Sequence, residues 1–165
     1  MAVEFQRTIN ADIARGIPGA FASINPHVST PKGYIAGKDV GIGTFVWTTD
    51  DFTVENTGTG TPLGFVHRVN AYTFQNITQV ASDKVPEGQA VDVLVAGDFF
   101  ALTAAQATRG QKVFAKTTDG TIVPGDKGAT VEGAVETNFY FAENVKAGEV
   151  GIITSYLIRR LKPYG

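Results

Sequence analysis

Residues 89–125 run QAVDVLVAGDFFALTAAQATRGQKVFAKTTDGTIVPG, a succession of β-prone segments cut by glycine turns. Val91, Val93 and Val95 alternate with Asp92 and Leu94, Gly97-Asp98 interrupts the run, and Phe99 to Thr103 resumes it with residues suited to a pleated, half-buried surface. This pattern predicts a hairpin. Lys112 to Thr117 then leads to Asp119-Gly120, a dipeptide that tolerates positive φ as a two-residue hairpin turn requires, and Thr121 to Val123 return before Pro124 and Gly125 end the strand. No apolar residues recur at helical spacing between these runs. Antiparallel pairing between sequence neighbours follows, rather than crossover helices.

The same grammar extends in both directions. Phe45 and Trp47 alternate with Val46 and Thr48, Thr49-Asp50-Asp51 makes a polar turn, and Phe52 to Glu55 returns with Val54 on the face of Phe52. Asn56 to Gly64 is too rich in glycine to form core and is expected as an exposed loop. Phe65 to Val69 and Tyr72 to Val80 continue as extended segments, and Pro86-Glu87-Gly88 signals a turn. Further on, Val135, Thr137, Phe139 and Phe141 alternate with Glu136, Asn138 and Tyr140. Val150 to Leu161 is apolar almost throughout, as a strand covered on both faces would be, and ends in Arg159, Arg160 and Lys162. About ten strands in this arrangement predict an all-β fold, a small antiparallel β-barrel or a jelly-roll-like sandwich.

Residues 1–40 differ from the rest. Isolated apolar residues are interspersed with Pro18, Pro26 and Pro31, each of which removes a backbone donor and restricts the residue before it to extended conformations. The segment is expected to form an extended, mostly irregular N-terminal arm ahead of a β-domain at 41–165. Phe5, Ile9 and Ile13 share one face of a short helix that Gly16 and Pro18 would stop. Such an arm either packs over its own domain or reaches onto a neighbouring subunit.

Composition narrows the function classes. The chain of 165 residues is about one domain long, and a formal charge of −2 supplies no broad basic field, so nucleic acid is not an expected partner. With no cysteine there are no disulfides, thiol nucleophiles or thiolate metal sites. Glu4 and Arg7 precede no apolar signal region and no run is long enough to span a bilayer, so the chain is expected to start near Met1, stay soluble and engage no membrane.

Chemistry-bearing patterns are sparse. His27 and His67 stand far apart without metal-ligand spacing, and none of Ser23, Ser29, Ser82 and Ser155 lies in a nucleophile-elbow sequence. Asp98, Asp119 and Asp126 sit beside glycine at turn positions. GTIVPGDK at Gly120 to Lys127 approaches a phosphate loop but lacks its lysine position, its hydroxyl and its helix, and GTGTPLG at Gly58 to Gly64 likewise precedes no helix. Neither an enzyme nor a cofactor or metal is expected. An enzyme would require Asp92, Asp98 and His67 to converge on one pocket, and a carbohydrate-binding sandwich would require Trp47, Tyr72 or Tyr140 on an open face.

A family resemblance joins these runs. Gly43-Thr44-Phe45-Val46-Trp47, then Val54 to Arg68 (VENTGTGTPLGFVHR), then Pro86-Glu87-Gly88, Ala96-Gly97-Asp98-Phe99-Phe100 and Gly110 to Ala115 resemble, in order, the structural cement proteins of tailed bacteriophages. The most specific run is Asn56 to Arg68. The resemblance implies a small β-rich, non-catalytic protein on the outer surface of the virion capsid, clamping adjacent subunits of the major capsid protein. Reinforcement would come from interfaces of about 1,200–2,000 Å² each, multiplied by multivalency. An exposed sheet edge would also pair with a second copy, a homodimer in preference to a trimer. The candidates for capsid or self interfaces are Phe5, Ile9 and Phe21 in the arm, Trp47, His67 and Arg68 in the domain, and Arg159 and Arg160 at its end. The alternative is a carbohydrate- or receptor-binding β-sandwich on the virion.

Overall fold

A computed structural model describes residues 15–69 and 83–156, and within them the regular elements are all β-strands, numbered here along the chain. The larger sheet has, in spatial order, β1 (Val28–Ser29), β9 (Val93–Ala96), β6 (Gly64–Val66), β4 (Phe45–Thr48), β5 (Thr53–Glu55), β2 (Tyr34–Ala36) and β8 (Ala90–Val91). Among the strand pairs of the described residues, β2 and β5 alone run parallel. The second sheet is fully antiparallel, with β10 (Asp98–Leu102), β14 (Val150–Thr154), β13 (Ala134–Phe141), β11 (Lys112–Lys116) and β12 (Ile122–Gly125) in that order. β3 (Val40–Gly41) and β7 (Lys84–Val85) form a small separate pair. Neither large sheet closes on itself, so of the two expected architectures the chain adopts the sandwich and not the barrel.

The sheets meet through aromatic rings. Phe45 and Phe65 from the larger sheet and Phe99 and Phe139 from the second are each no more than 2 % exposed, with Phe45 and Phe139 centred 5.6 Å apart and Phe65 and Phe99 5.0 Å apart. Trp47, Leu94, Val113, Ile122, Phe141 and Ile153 complete this core. Because successive strand residues point to opposite faces, Val46, Val66 and Val93 project away from it, into a second cluster with Ala36, Val40, Val54, Val85 and Val91. β4, β6 and β9 are therefore covered on both sides, and their paired apolar positions contribute about 1.5–3 kcal/mol per large side chain from burial.

Two sequence expectations change form. The runs on either side of Gly97 do not make a hairpin: β9 pairs with β1 and β6, whereas β10 pairs with β14. Leu94 and Phe99 enter the same core from opposite sheets, which a hairpin within one sheet would forbid. The chain changes sheets at Gly97, whose φ of 143° suits only glycine and which exchanges hydrogen bonds with Ser155, from its N–H to Oγ at 2.9 Å and from Ser155 N–H to its carbonyl at 3.0 Å. The β11–β12 hairpin does form, but its loop spans residues 117–120 because the last hydrogen-bonded pair is Lys116 and Thr121. Asp119 Oδ1 accepts from the Thr121 amide and hydroxyl inside that loop. Pro124 is harmless there, since β12 is an edge strand.

The N-terminal segment supplies sheet as well as connection. Gly19 N–H donates to the Phe100 carbonyl at 2.8 Å, Phe100 N–H to Ala20 at 2.9 Å and Ala22 N–H to Asp98 at 2.9 Å, so residues 19–22 line the outer edge of β10. β1 and β2 belong to the larger sheet. Pro18, Pro26 and Pro31 fall between these short pairings, where the missing donor costs nothing. The expected helical face at Phe5, Ile9 and Ile13, the extended run Tyr72 to Val80 and the strand beyond Tyr156 lie outside the described residues.

Candidate interaction surface

Three of the candidate residues converge on the N-terminal segment. His67 Nδ1 lies 2.8 Å from the Gly19 carbonyl, the Arg68 amide donates to the same oxygen at 2.8 Å, and Arg68 Nε donates to Pro18 at 3.0 Å. The Phe21 ring stacks 4.0 Å from that of His67 and 4.5 Å from that of His27. Arg68 completes an ion pair with Asp83 at 2.6 Å, its own side chain nearly buried. The conspicuous Gly-Phe-Val-His-Arg run thus clamps residues 18–21 against the edge of β10, and only Phe21 of the three presents substantial surface, 38 %.

Trp47 is corrected as an interface candidate. It is 4 % exposed, because its indole lies under the 56–64 loop and donates from Nε1 to the Gly60 carbonyl at 2.8 Å. The loop itself is exposed at its tip, as expected, but is anchored at Asn56. That amide accepts from Gly41 N–H at 2.7 Å and donates to Thr44 Oγ1 at 2.7 Å and the Phe45 carbonyl at 2.9 Å. Gly58 follows from this packing, since a Cβ there would fall 2.3 Å from Trp47 Cγ, whereas Gly60 serves the turn with its φ of 74°. Phe5, Ile9, Arg159 and Arg160 lie outside the described residues.

A buried carboxylate was not legible in the sequence. Asp98, read there as a turn residue, is 9 % exposed, and its Oδ2 accepts from Ser23 Oγ at 2.7 Å and Asn25 Nδ2 at 2.6 Å. Burial pushes its pKa up, but hydrogen bonding with Thr154, Ser23 and Asn25 more than reverses this and holds the carboxyl below its usual range. Ser23 and Asn25 stand more than seventy positions away in sequence, so no local pattern could have paired them with Asp98. The result is a rigid loop, Ser23 to Pro26, closed by the Asn25 amide on Ser23 Oγ at 3.0 Å and by Tyr156 OH on the Pro26 carbonyl.

Asp92, Asp98 and His67 do not converge on one pocket among the described residues. His67 meets Asp92 only through backbone, Asp98 is occupied by Ser23 and Asn25, and none of the three lines either of two clefts on the described surface. One cleft lies among Arg15, Phe100, Glu143 and Val145, bridged by an Arg15–Glu143 ion pair at 3.0 Å, and the other among Pro18, Arg68, Leu102 and Ile122. Tyr140, a possible sugar platform, is covered by Lys112 Nζ 3.9 Å above its ring, and Tyr72 lies outside the described residues. Among the described residues, Ile24, Val28, Ile35, Phe52 and Leu102 are large apolar side chains that stand exposed on loops or short strands.

Comparison with known proteins identifies a family and a shared fold. The model of the XM1 gp53 minor capsid protein family matches residues 5–155. Among solved structures, a chain in the capsid of Myoviridae phage XM1 superposes with a TM-score of 0.65 at 17 % identity, covering 92 % of this chain and 96 % of that one, and so shares the fold. The head fiber gp8.5 N base of bacteriophage phi29 gives a TM-score of 0.44 at 19 % identity, covering 78 % and 93 %. No curated protein matches.

Proposed function

The chain belongs to the XM1 gp53 minor capsid protein family, and from that premise we propose that it is a non-enzymatic structural protein that binds the outside of a phage head and clamps adjacent major capsid subunits. The observation that carries this reading is the family match across nearly the whole described sandwich. The physical character of the domain supports it. Two sheets locked by a phenylalanine core resist deformation, and short loops pinned by Asn56 and Asp98 have little conformational freedom left to lose on docking. A clamp repeated over a shell accumulates strength by multivalency and needs no single tight contact. Self-association, as a dimer in preference to a trimer, would double each grip.

The test mixes the purified protein with undecorated expanded heads of its own phage and with unexpanded ones, pellets them, and counts bound copies. Saturable binding at a fixed number per head, with raised resistance of the heads to heat, is the expected result. Absence of binding to either form overturns the reading and makes sugar or receptor binding on the virion the next assay.

A further inference from the structure

The two large sheets differ in how their outer faces are covered. β4, β6 and β9 have the valine cluster behind them, whereas on β10 and β14 the alternation that sends Phe99 and Ile153 into the core turns Phe100, Val150 and Ile152 outward. Phe100 and Ile152 are directly paired, and both stay partly exposed in the larger cleft, a volume of about 1,220 Å³. The chain itself enters this cleft at its first two described residues. Gly16 lies so close to the Phe100 ring that a Cβ would fall 2.1 Å from it, and Arg15 donates to Glu143 at 3.0 Å and to the Val150 carbonyl at 3.4 Å. Residues 1–14 continue from that point, outside the described residues.

We propose that residues 1–14 of this same chain are the occupant of the cleft, with Phe5, Ile9 and Ile13 as the side chains that cover Phe100, Val150 and Ile152. The place where the segment begins is the first reason. Arg15 and Gly16 already lie in the cleft, and Ile13 is two residues further, so its Cα stays within about 7 Å of that of Arg15. The spacing is the second. Apolar residues at every fourth position form one stripe on a helical backbone, about 12 Å long from Phe5 to Ile13, and a stripe needs an apolar surface to lie on. The third is that the family match begins at residue 5, which puts most of the segment within the part of the chain the family shares. A second copy competes at a disadvantage, because tethering at Arg15 gives the chain's own segment an effective concentration in the mM range. This assignment takes Phe5 and Ile9 away from the capsid contacts expected of them and does not depend on the head-binding function.

The experiment follows one introduced thiol in the full chain, which has no cysteine of its own. Val150→Cys places it in the cleft, and Val113→Cys places a reference thiol in the core, where that residue is fully buried. Each is reacted with an aromatic disulfide reagent in the otherwise wild-type chain, with Ile9→Asp added, and with the milder Ile9→Ala added. The expected result is that the Val150→Cys thiol reacts at least about tenfold faster with Ile9→Asp and about threefold faster with Ile9→Ala, while the Val113→Cys thiol stays slow throughout. Its rate without an Ile9 substitution should not change on dilution of the protein. Labelling at Val150→Cys that neither Ile9 variant accelerates overturns the proposal. An equal rise at Val113→Cys would mean loosening of the whole fold rather than uncovering of the cleft, and overturns it as well. Protection at Val150→Cys that is lost on dilution assigns the cleft to a second copy, with the same consequence.

Discussion

Lys112 and Thr137 meet across a break in the β11–β13 ladder: the Lys112 ammonium, its residue only 6 % exposed, donates to the Thr137 carbonyl at 3.0 Å. Lys112 pairs with Tyr140 and Phe114 with Glu136, so Thr137 to Phe139 all stand opposite Val113. That surplus forms a bulge, and a bulge leaves a carbonyl without its strand partner. Lys112 supplies the missing donor, Tyr140 covers the charge with its ring, and Glu136 lies 3.6 Å from the ammonium. Thr137 Oγ1 closes the other side by donating to the Val113 carbonyl at 2.8 Å.

Lys112→Met keeps the aliphatic stem and removes the donor. The buried carbonyl is then unsatisfied, and the expected loss is about 2–3 kcal/mol of stability, read from the urea midpoint. Glu136→Gln should cost less than about 1 kcal/mol, because that partner is partly solvated. Equal losses for the two would mean that the ion pair, and not the carbonyl, holds the bulge.

Asn56 makes three hydrogen bonds to groups on two other segments. Asn56→Ala should lower stability by about 2–3 kcal/mol, whereas Thr57→Ala, an exposed neighbour, should stay within about 0.5 kcal/mol. Chemical denaturation of both variants settles the comparison.

Asp98 links stability to acidity. Its folded-state pKa is depressed, so the stabilisation it contributes is fully present above the unfolded-state value of about 3.9 and is lost as the pH falls through the folded-state value. Asp98→Asn should melt lower than wild type at pH 7, and the gap should narrow on titration below about pH 4. Calorimetric melting temperatures from pH 7 to pH 2.5 that run parallel for the two proteins would refute this.

Gly120 has φ of 68° and would place a Cβ 2.1 Å from the Phe45 carbonyl, which is how closely the β11–β12 loop approaches β4. Gly120→Ala should therefore destabilise by well over about 1 kcal/mol. Gly128 shares the positive φ, at 76°, but faces open space, so Gly128→Asn should be tolerated. A thermal-melt comparison of the two separates backbone strain from steric contact.

Deleting residues 1–40 should abolish cooperative folding, since it removes β1, β2 and the segment on the β10 edge, together with the buried Tyr34 and Ala36. Circular dichroism melts without a sharp transition are the expected readout. A well-folded truncated protein would show that the N-terminal pairings are accessory.

Much of the strand pattern was legible locally. The Phe45–Trp47 alternation, its polar turn and the return through Val54 define the β4–β5 hairpin as read, and Thr137, Phe139 and Phe141 are buried in register as their spacing predicts. Phe52 shows the limit of that rule: assigned to the face of Val54, it is 64 % exposed where Val54 is fully buried, because the strand begins only at Thr53. Trp47 looked like a surface aromatic because the glycine-rich loop after it carries no sign of folding back over the ring. Likewise the prolines of the first forty residues correctly excluded long strands but concealed two- and three-residue pairings, which need no periodicity to form.

Alternation of apolar and polar residues and the placement of Gly, Pro and Asp are local preferences of backbone and side chain, and by themselves they determined the all-β character of the described residues and most of their turns. Tertiary structure decided where the chain changes sheets at Gly97, that Asp98 is buried beneath Ser23 and Asn25, and that His67 and Arg68 serve the N-terminal segment. Those outcomes depend on contacts between residues tens of positions apart, whose energies exist only once two faces are brought together and water is expelled between them.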